Sequence, residues 1–557
     1  MQITNRIHFR NLRGDFLGGI VAAIIALPMA LTFGVASGAG AAAGLWGAVL
    51  VGFFAALFGG TPTLISEPTG PMTVIMTAVI ANLTASYPEN GLAMAFTVVM
   101  LAGIFQILFG VLRLGKYITL MPYTVISGFM SGIGIILIIL QIPPFLGQER
   151  PDGAFETILT LPELLGNINP AATILAALTV AIIVFMPVGW KRIIPGQLVA
   201  LVLGTVISLI FFSGVDLRRI GEIPMGLPEL QMPTFSAEQL QMMLVEALIL
   251  ATLGCIDAML TSLVADSLTR SEHNSNKELI GQGIGNFASG LCGGIAGAGA
   301  TMGTVVNIQT GGRTALSGLT RALILFVIVI WAAPLLQSIP LAVLAGIALK
   351  VGIDIIDWGF LKRAHQVSVK AAIIMYGVIA LTVFVDLMVA VGVGVFVANI
   401  LTIERLSNLR AEKVKAVSNA DDEIMMDDQE KQLLDRANGR VLLFYFSGPM
   451  IFGVSNAIAR QRKAMEDQDH NALILDLRDV PHLGVSSSLA VENAIREAVD
   501  KGRHVFIVGA ADQSKQRLEN LGILSLIPPQ HLLMDRQEAL RQAVTLVEGK
   551  EQPAKSI

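Results

Sequence analysis

Long apolar runs separated by short polar breaks fill the chain from Phe16 to Thr402. No Asp, Glu, Lys, Arg or His occurs from Phe16 to Ser66, or from Tyr117 to Gln148. About 20 apolar residues cross a bilayer as one helix, so each of these runs holds more than one crossing. We count about fourteen hydrophobic segments, several of them interrupted by Gly or Pro. The pattern therefore predicts an α-helical polytopic membrane protein in a lipid bilayer.

Basic residues recur at intervals of about two hydrophobic segments. The clusters are Arg6, Arg10 and Arg13; Arg113 and Lys116; Lys191 and Arg192; Arg270 and Lys277; and Lys350, Lys362 and Arg363. The positive-inside rule places these clusters in the cytoplasm, and an even number of crossings then places both termini there. Arg150, Arg218 and Arg219 fall in loops on the opposite side and are exceptions.

The composition agrees with this class of protein. The chain is 54% hydrophobic and 14% charged, whereas a soluble protein of this length has roughly a quarter of charged residues. The net charge of −4 suggests no nucleic-acid partner. Cys255 and Cys292 both lie in apolar segments, and we interpret them as small packing residues.

The composition changes after Ile403. Residues 404–438 are rich in charge and are predicted to be a linker. From residue 439 to 549, short apolar runs alternate with amphipathic stretches, a βαβα pattern typical of a small sheet covered by helices. The predicted order is a cytoplasmic N-terminus (1–15), a transmembrane domain (16–403), the linker (404–438), a soluble cytoplasmic domain (439–549) and a tail (550–557).

Two breaks rich in Gly lie at corresponding places in the two halves of the membrane region. Gly59–Pro71 precedes one apolar helix and Gly293–Gly303 precedes another. Paired breaks indicate an inverted repeat with its site between the repeats, although Gly is also common where membrane helices pack closely. The first N–H groups of a helix lack intrahelical partners and lie at the positive end of its dipole. Two such ends facing each other would bind an anion, with the hydroxyls of Thr69 and Thr301 as further donors.

These segments resemble the sulfate permease (SulP) family of anion transporters, and the C-terminal part resembles the STAS domain found on its members. The matching segments are Gly14–Asp15, Ala26–Ala30, Ser66–Met72, Gly254–Ala258, Ala265–Arg270, Gly293–Gly294, Gly297–Gln309, Gly312–Thr314 and Asn471–Val480. Within the family, the chain looks most like the sodium-dependent bicarbonate transporters of cyanobacteria. The resemblance implies seven plus seven inverted segments divided into core and gate domains, a location in the cell's inner membrane, and a homodimer to which the STAS domain contributes.

The resemblance also assigns site residues. The bicarbonate position of similar transporters falls on Thr69, Gly70 and Ala300, at the two helix starts. Their sodium position falls on Asp257, Thr261, Gly299 and Thr301. No cofactor or other metal is implied, and Na⁺ would act as the coupling ion.

Asp257 is also singled out by its place in the chain. It lies far from either end of a helical segment predicted over 239–264. A charged side chain at that depth in the membrane costs free energy, so Asp257 is by default a candidate for a functional role. Thr261 follows four residues later, so both side chains project from one helix face. The alternative is a protonated Asp257 that is hydrogen-bonded within the bundle. Glu246, eleven residues earlier on nearly the same face, is a second candidate, as a gating or proton-sensitive residue, and an ordinary pathway or interface role is equally open.

Gly303 departs from a pattern of the family. Many members that move anions without sodium have an arginine at this position, beside the second helix start. Helix N-termini supply only partial charges, so a Na⁺ held by Asp257 would provide the missing positive field. The two ions would then favour each other's binding, which is thermodynamic coupling.

Other carboxylates have more ordinary alternatives. Glu67 borders the first helix start; it is either a proton-sensitive gate or an acceptor of hydrogen bonds from the turn around Pro68. Asp266 and Arg270 lie one helical turn apart, and we expect a salt bridge between them near the cytoplasmic end.

The favoured function is Na⁺-coupled symport of bicarbonate into the cell by an elevator-like motion of the core against the gate. The main alternatives within the same fold are a proton-coupled sulfate or dicarboxylate transporter and an anion exchanger. An anion channel, a transporter-shaped receptor and a nucleobase transporter are further alternatives. The soluble domain has no catalytic constellation, so an enzyme is not expected. STAS domains that act as phosphorylation switches carry a serine where Val485 stands here, which favours dimerisation or a scaffold role.

Overall fold

The computed structural model defines two compact units, residues 1–396 and 397–557. It describes residues 4–5, 9–115, 122–149, 151, 153–187, 195–224, 226–235, 238–385, 389–390, 393–394, 396–397, 399–401, 403, 414–419, 424–450, 457–458 and 470–549. Each unit is described below by itself.

The first unit is built from helices. The long helices among its described residues are α1 (Leu12–Ser37), α2 (Ala41–Phe58), α3 (Gly70–Ser86), α4 (Gly91–Val111), α5 (Tyr123–Phe145), α6 (Pro170–Phe185), α7 (Gly196–Phe211), α8 (Leu240–Thr269), α9 (Ser275–Leu291), α10 (Thr301–Thr310), α11 (Ala315–Trp331), α12 (Leu341–Ile355) and α13 (Val369–Phe384). Short helices occupy Ala154–Leu159, Leu161–Gly166, Ala333–Leu336, Trp358–Leu361 and Ala364–Val367. Two two-residue strands, β1 (Ser66–Glu67) and β2 (Ala298–Gly299), precede α3 and α10.

Several helices have the length and composition of membrane spans. Among the described residues, five helices are long and apolar enough to cross a bilayer by themselves: α1, α2, α4, α5 and α8. Helices α10 and α11 are bent by 114° at a short break and make a sixth span if the pair is counted as one. Helices α3 and α10 are short because each begins inside the helix bundle, after β1 or β2. The non-helical segments before these two helices are the breaks that the sequence predicts.

The helices pack in two groups. Helices α1–α4 pack with α8–α11, through contacts such as α4 with α9 and α1 with α11. Helices α5–α7 pack with α12 and α13. We call the first group the core and the second group the gate. Each group takes helices from both halves of the chain, as an inverted repeat requires.

Glycine allows a close contact between α4 and α9 in the core. A Cβ atom on Gly103 of α4 would lie 2.6 Å from the carbonyl oxygen of Gly283 on α9, and one on Gly283 would lie 2.5 Å from that of Gly103. Both distances are far below a van der Waals contact, so only glycine at both positions lets the two backbones approach. Close approach through small residues is a usual means of helix association in membranes.

Polar side chains join distant parts of the core. The buried Asp15 carboxylate accepts hydrogen bonds from the backbone N–H groups of Arg313 (2.7 Å) and Thr314 (3.0 Å) and from the Thr314 hydroxyl (2.8 Å). Two sequence motifs almost 300 residues apart therefore form one contact. The Asp15 side chain fixes the turn between α10 and α11 against the start of α1.

The second unit is a five-stranded sheet with the order β3-β4-β5-β6-β7. The strands are β3 (Val414–Val417), β4 (Val441–Ser447), β5 (Ala472–Asp479), β6 (His504–Val508) and β7 (Leu532–Leu533). The α-helices of four residues or more that lie wholly within its described residues from 414 onward are α14 (Asp428–Arg436), α15 (Val485–Asp500), α16 (Asp512–Asn520) and α17 (Arg536–Gly549). Strand β3 is antiparallel to β4, and the other neighbours are parallel.

Both faces of this sheet are buried. Leu442 and Phe444 lie in one apolar cluster with residues of α15, while Leu443 lies in a second cluster with residues of α17. This alternation is the period of two expected for a strand. The stretch predicted as a linker differs from the prediction, because β3 and α14 lie within 404–438 and belong to the sheet and its cover.

Candidate functional site

The two strands place the starts of α3 and α10 side by side. Strands β1 and β2 are antiparallel, with Ser66 opposite Gly299, and the Ala300 N–H donates to the Ile65 carbonyl over 2.8 Å. Thr69 and Ala300 are the residues immediately before the helices, and neither start is capped by a side chain. The first backbone N–H groups of α10, and those of Gly70 and Met72 in α3, are therefore not taken by a side-chain cap and can bind a ligand with negative charge; Pro71 of α3 has no N–H.

Asp257 lies beside this pair of helix starts. Its side chain is on α8 and is 8% exposed, and its Oδ2 accepts a hydrogen bond of 2.7 Å from the Thr69 hydroxyl. The carboxylate predicted to hold a cation and the threonine predicted to hold an anion are thus in direct contact. The sequence alone gave no indication of this bond, since the two residues are 188 positions apart.

Oxygen atoms suited to a small cation cluster one helical turn further along α8. The buried Thr261 hydroxyl donates to the Gly299 carbonyl over 2.8 Å and lies 2.9 Å from the Thr301 hydroxyl. A carboxylate, two hydroxyls and a carbonyl are hard oxygen ligands of the kind that bind Na⁺ without a cysteine or histidine. The structure therefore brings together three of the residues predicted for sodium, Thr261, Gly299 and Thr301. The fourth, Asp257, lies one turn earlier on α8 and contacts Thr69.

Glu67 has a different partner from those considered in the sequence analysis. It forms an ion pair with Arg321 of α11, whose side chain is fully buried. Arg321 also donates to the carbonyl oxygens of Ser66 (2.9 Å) and Ala48 (3.2 Å). One arginine thus holds both residues of β1, immediately before the first helix start.

Sequence reasoning missed Arg321, although a signal was present. It is a lone charge in the apolar segment Ala315–Trp331, the same feature that singled out Asp257. A Cβ atom on Gly303 would lie 3.7 Å from Glu67 Oε1, so the position at which the resemblance implies an arginine in many sodium-independent transporters adjoins the same carboxylate. In this chain the positive charge next to Glu67 is Arg321 of α11, and Glu67 neutralises it.

The Gly-rich segments before the helices are held by buried polar side chains of α9. Glu278 accepts hydrogen bonds from the backbone N–H groups of Gly60 and Thr61, each over 2.8 Å. Asn286 pairs with both polar groups of the Gly297 backbone, donating over 3.0 Å and accepting over 2.8 Å. Non-helical backbone at this depth needs such partners, because lipid offers none.

Two other predicted positions lie apart from the site. Glu246 is on α8, eleven residues before Asp257 and therefore about 16 Å away along the helix, and its partner is Asn82 of α3 at 3.3 Å. The expected pair of Asp266 with Arg270 is wrong, because Asp266 contacts His273 Nδ1 over 2.6 Å instead. Arg270 ends α8 in a left-handed conformation (φ 55°), so the chain turns there and brings His273 back to Asp266.

Comparison with known families identifies both units. A model of the sulfate permease family matches residues 12–378, and a model of the STAS domain matches residues 433–539. The chain belongs to the sulfate permease family. It is accordingly a multi-pass membrane transporter with a C-terminal STAS domain, as the sequence motifs predicted.

Curated relatives and solved structures agree with this family. The bicarbonate transporter BicA of Synechocystis sp. is 66% identical over 100% of this chain and 99% of its own, and BicA of Picosynechococcus sp. is 69% identical over 98% and 97%. The solved transmembrane domain of a cyanobacterial BicA is 72% identical and covers 70% of this chain and 100% of its own, with a TM-score of 0.68. Murine solute carrier 26 family member A9, at 18% identity over 97% and 92%, shares the fold with a TM-score of 0.83.

Proposed function

We propose that this protein is a secondary active transporter that carries bicarbonate into the cell together with Na⁺. The two relatives that are 66% and 69% identical are named as bicarbonate transporters. The observation that carries the proposal is the hydrogen bond between Thr69 and Asp257. It links the helix start that would hold the anion to the carboxylate that would hold the cation.

The coupling follows from the charges around this bond. Without a cation, the Asp257 carboxylate repels an incoming anion and engages the Thr69 hydroxyl as its donor. Na⁺ bound by Asp257, Thr261, the Gly299 carbonyl and Thr301 neutralises the carboxylate. The Thr69 hydroxyl can then turn and donate to bicarbonate at the N-termini of α3 and α10. Each ion raises the affinity for the other, which is the reciprocity that coupling requires.

Arg321 does not replace the cation in this scheme. Its charge is neutralised by Glu67, and its side chain is fully buried behind β1. The positive field at the site therefore comes from the two helix N-termini, which carry only partial charges, and from Na⁺.

The motion that we propose is an elevator-like displacement of the core against the gate. All the residues proposed to bind the two ions belong to core elements, so the ions would move with the core. The location in the inner membrane, with both termini in the cytoplasm, and the homodimer remain predictions of the sequence.

The test is uptake of labelled bicarbonate into proteoliposomes, with an inward Na⁺ gradient or with K⁺ in its place. We expect saturable uptake that needs Na⁺, ignores excess unlabelled sulfate and disappears in Asp257→Asn. Glu246→Gln is the matched control, because it neutralises another buried carboxylate of α8 outside the site, and it should keep most of the uptake. Uptake that is indifferent to Na⁺, or that sulfate abolishes, would contradict the proposal and favour the proton-coupled transporter or the exchanger.

A further inference from the structure

A second cavity lies between the core and the gate, away from the paired helix starts. Its volume is about 300 Å³, and its walls are the last turns of α1 and α3 on the core side and α5, α6 and α12 on the gate side. Thr77, which lines it, is seven residues beyond the start of α3, so the cavity begins about 10 Å from that start along the helix. We call it the outer cavity, because α1 runs towards it from the end predicted to be cytoplasmic and α3 runs towards it from inside the bundle.

Two buried side chains of this cavity have no hydrogen-bond partner among the described residues. They are Thr32 of α1, which is 1% exposed and lacks a partner for Oγ1, and Gln141 of α5, which is 4% exposed and lacks one for Nε2. An unsatisfied buried donor costs about 1–3 kcal/mol, so a protein keeps such groups where something else satisfies them. By contrast, the hydroxyl of Thr77 in the same cavity donates to the Ala36 carbonyl over 2.9 Å.

The lining of the cavity carries no Asp or Glu among the described residues. Arg218 lines it and is paired with Glu149 over 2.8 Å in an exposed contact, so its charge is balanced by a carboxylate outside the lining. Helix α12 begins at Leu341 against the cavity, so the positive end of its dipole lies there. The negative ends of α1, α3 and α5 also reach the cavity, but carbonyls in each last turn have partners. Gly38 N–H donates to Val35 in α1, Tyr87 N–H to Leu83 in α3 and Leu146 N–H to Ile142 in α5.

We propose that the outer cavity is a second binding site for a small oxyanion, with the Thr32 hydroxyl and the Gln141 amide as its donors. For the transport proposed above, the oxyanion is bicarbonate, and the inference of its identity rests on that function. One donor belongs to the core and the other to the gate. The site is therefore complete only when the core and the gate are positioned as in this structure. Bicarbonate would occupy it before it reaches Thr69 and Ala300.

Binding is tested first, because it does not depend on transport. The probe is [¹³C]bicarbonate, whose NMR line broadens when it exchanges with the full-length protein in detergent at constant pH and Na⁺. In an Asp257→Asn background, which weakens the main site, the remaining broadening should fall by at least half in Thr32→Val with Gln141→Leu. Thr382→Val is the control, since it removes a buried hydroxyl that is bonded within its own gate helix. Equal broadening with and without the two donors would overturn the proposal and indicate that the cavity holds water and no bicarbonate.

Uptake then tests the role of the site. Loss of one hydrogen bond should raise the KM for external bicarbonate roughly five- to tenfold in Thr32→Val, with Vmax within about twofold. Thr32→Ser, which keeps the hydroxyl, should restore the wild-type KM. Because Thr32 has no partner in the protein, its exchange for the isosteric Val should not lower the melting temperature. An unchanged KM in both Thr32→Val and Gln141→Leu would contradict the proposed site. A melting temperature of Thr32→Val below that of the wild type would contradict it too.

The two proposals fail in different ways. Binding that depends on Thr32 and Gln141, in a protein that takes up no bicarbonate with Na⁺, would keep the outer site and remove the transport function. Na⁺-dependent uptake without such binding would keep the transport function and remove the outer site.

Discussion

Arg321 and Glu67 form an ion pair in which both side chains are almost inaccessible, at 0% and 5% exposure. Removing one partner of a buried pair leaves an uncompensated charge, which costs about 3–5 kcal/mol. Replacing both with apolar or neutral groups is far less costly. We therefore expect Arg321→Met to lower the thermal stability of the protein in detergent strongly, and Glu67→Gln with Arg321→Met to recover most of it.

This double-mutant cycle also distinguishes the role of Glu67. If Glu67 serves to hold β1 through Arg321, the recovered double variant should show the wild-type dependence of bicarbonate uptake on pH. A double variant that is stable but has lost a pH-dependent step of uptake would instead indicate the proton-sensitive gate considered from the sequence.

At the same scale, the sequence predicted some site residues for physical reasons and missed others. Asp257 was found because a charge deep in an apolar helix is expensive and so indicates function. Arg321 carries the same signal, but its partner is 254 positions away, and only the fold shows that the two charges meet. The contact of Thr69 with Asp257 was hidden for the same reason.

At the scale of elements, composition revealed the breaks but not their structure. The Gly-rich segments before α3 and α10 were recognisable, whereas the two-residue strands inside them are too short to show a period of two. In the second unit, the acidic runs made 404–438 resemble a linker. Strand β3 and helix α14 form there because the charges of α14 find partners in the folded unit, notably Arg536 of α17, which donates to Glu430 over 2.8 Å.

Arg536 gives the prediction that belongs to this scale. It is 4% exposed and contacts Glu430 of α14, Asp476 of β5 and the Met425 carbonyl, so one side chain joins three elements. We expect Arg536→Met to lower the unfolding free energy of the second unit by about 3 kcal/mol or more, measured by urea denaturation. Arg541→Met is the matched control, because Arg541 of the same helix makes only an exposed pair with Glu538 and should cost less than about 1 kcal/mol. An equal loss of unfolding free energy in the two variants would show that the contacts of Arg536 with Glu430 and Asp476 do not hold α14 in place.

For the whole molecule, the grouping of helices into core and gate agrees with the family's architecture, and the proposed motion can be tested at a contact between them. Gln197 Nε2 at the start of α7 lies 4.0 Å from Met302 Sδ in the first turn of α10. Helix α7 belongs to the gate and α10 to the core, so the elevator-like motion must separate these two side chains. A short covalent bridge between them should therefore hold the transporter in one state.

The experiment replaces Gln197 and Met302 with cysteine after Cys255 and Cys292 have been changed to alanine, and joins the new cysteines with a short, reducible methanethiosulfonate cross-linker. We expect bicarbonate uptake by the double variant before cross-linking, loss of uptake in proportion to the cross-linked fraction, and recovery on reduction. Each single-cysteine variant treated in the same way should keep its uptake, since a label without a bridge does not join core to gate. Undiminished uptake by fully cross-linked protein would mean that this contact persists throughout transport, which an elevator-like displacement does not allow.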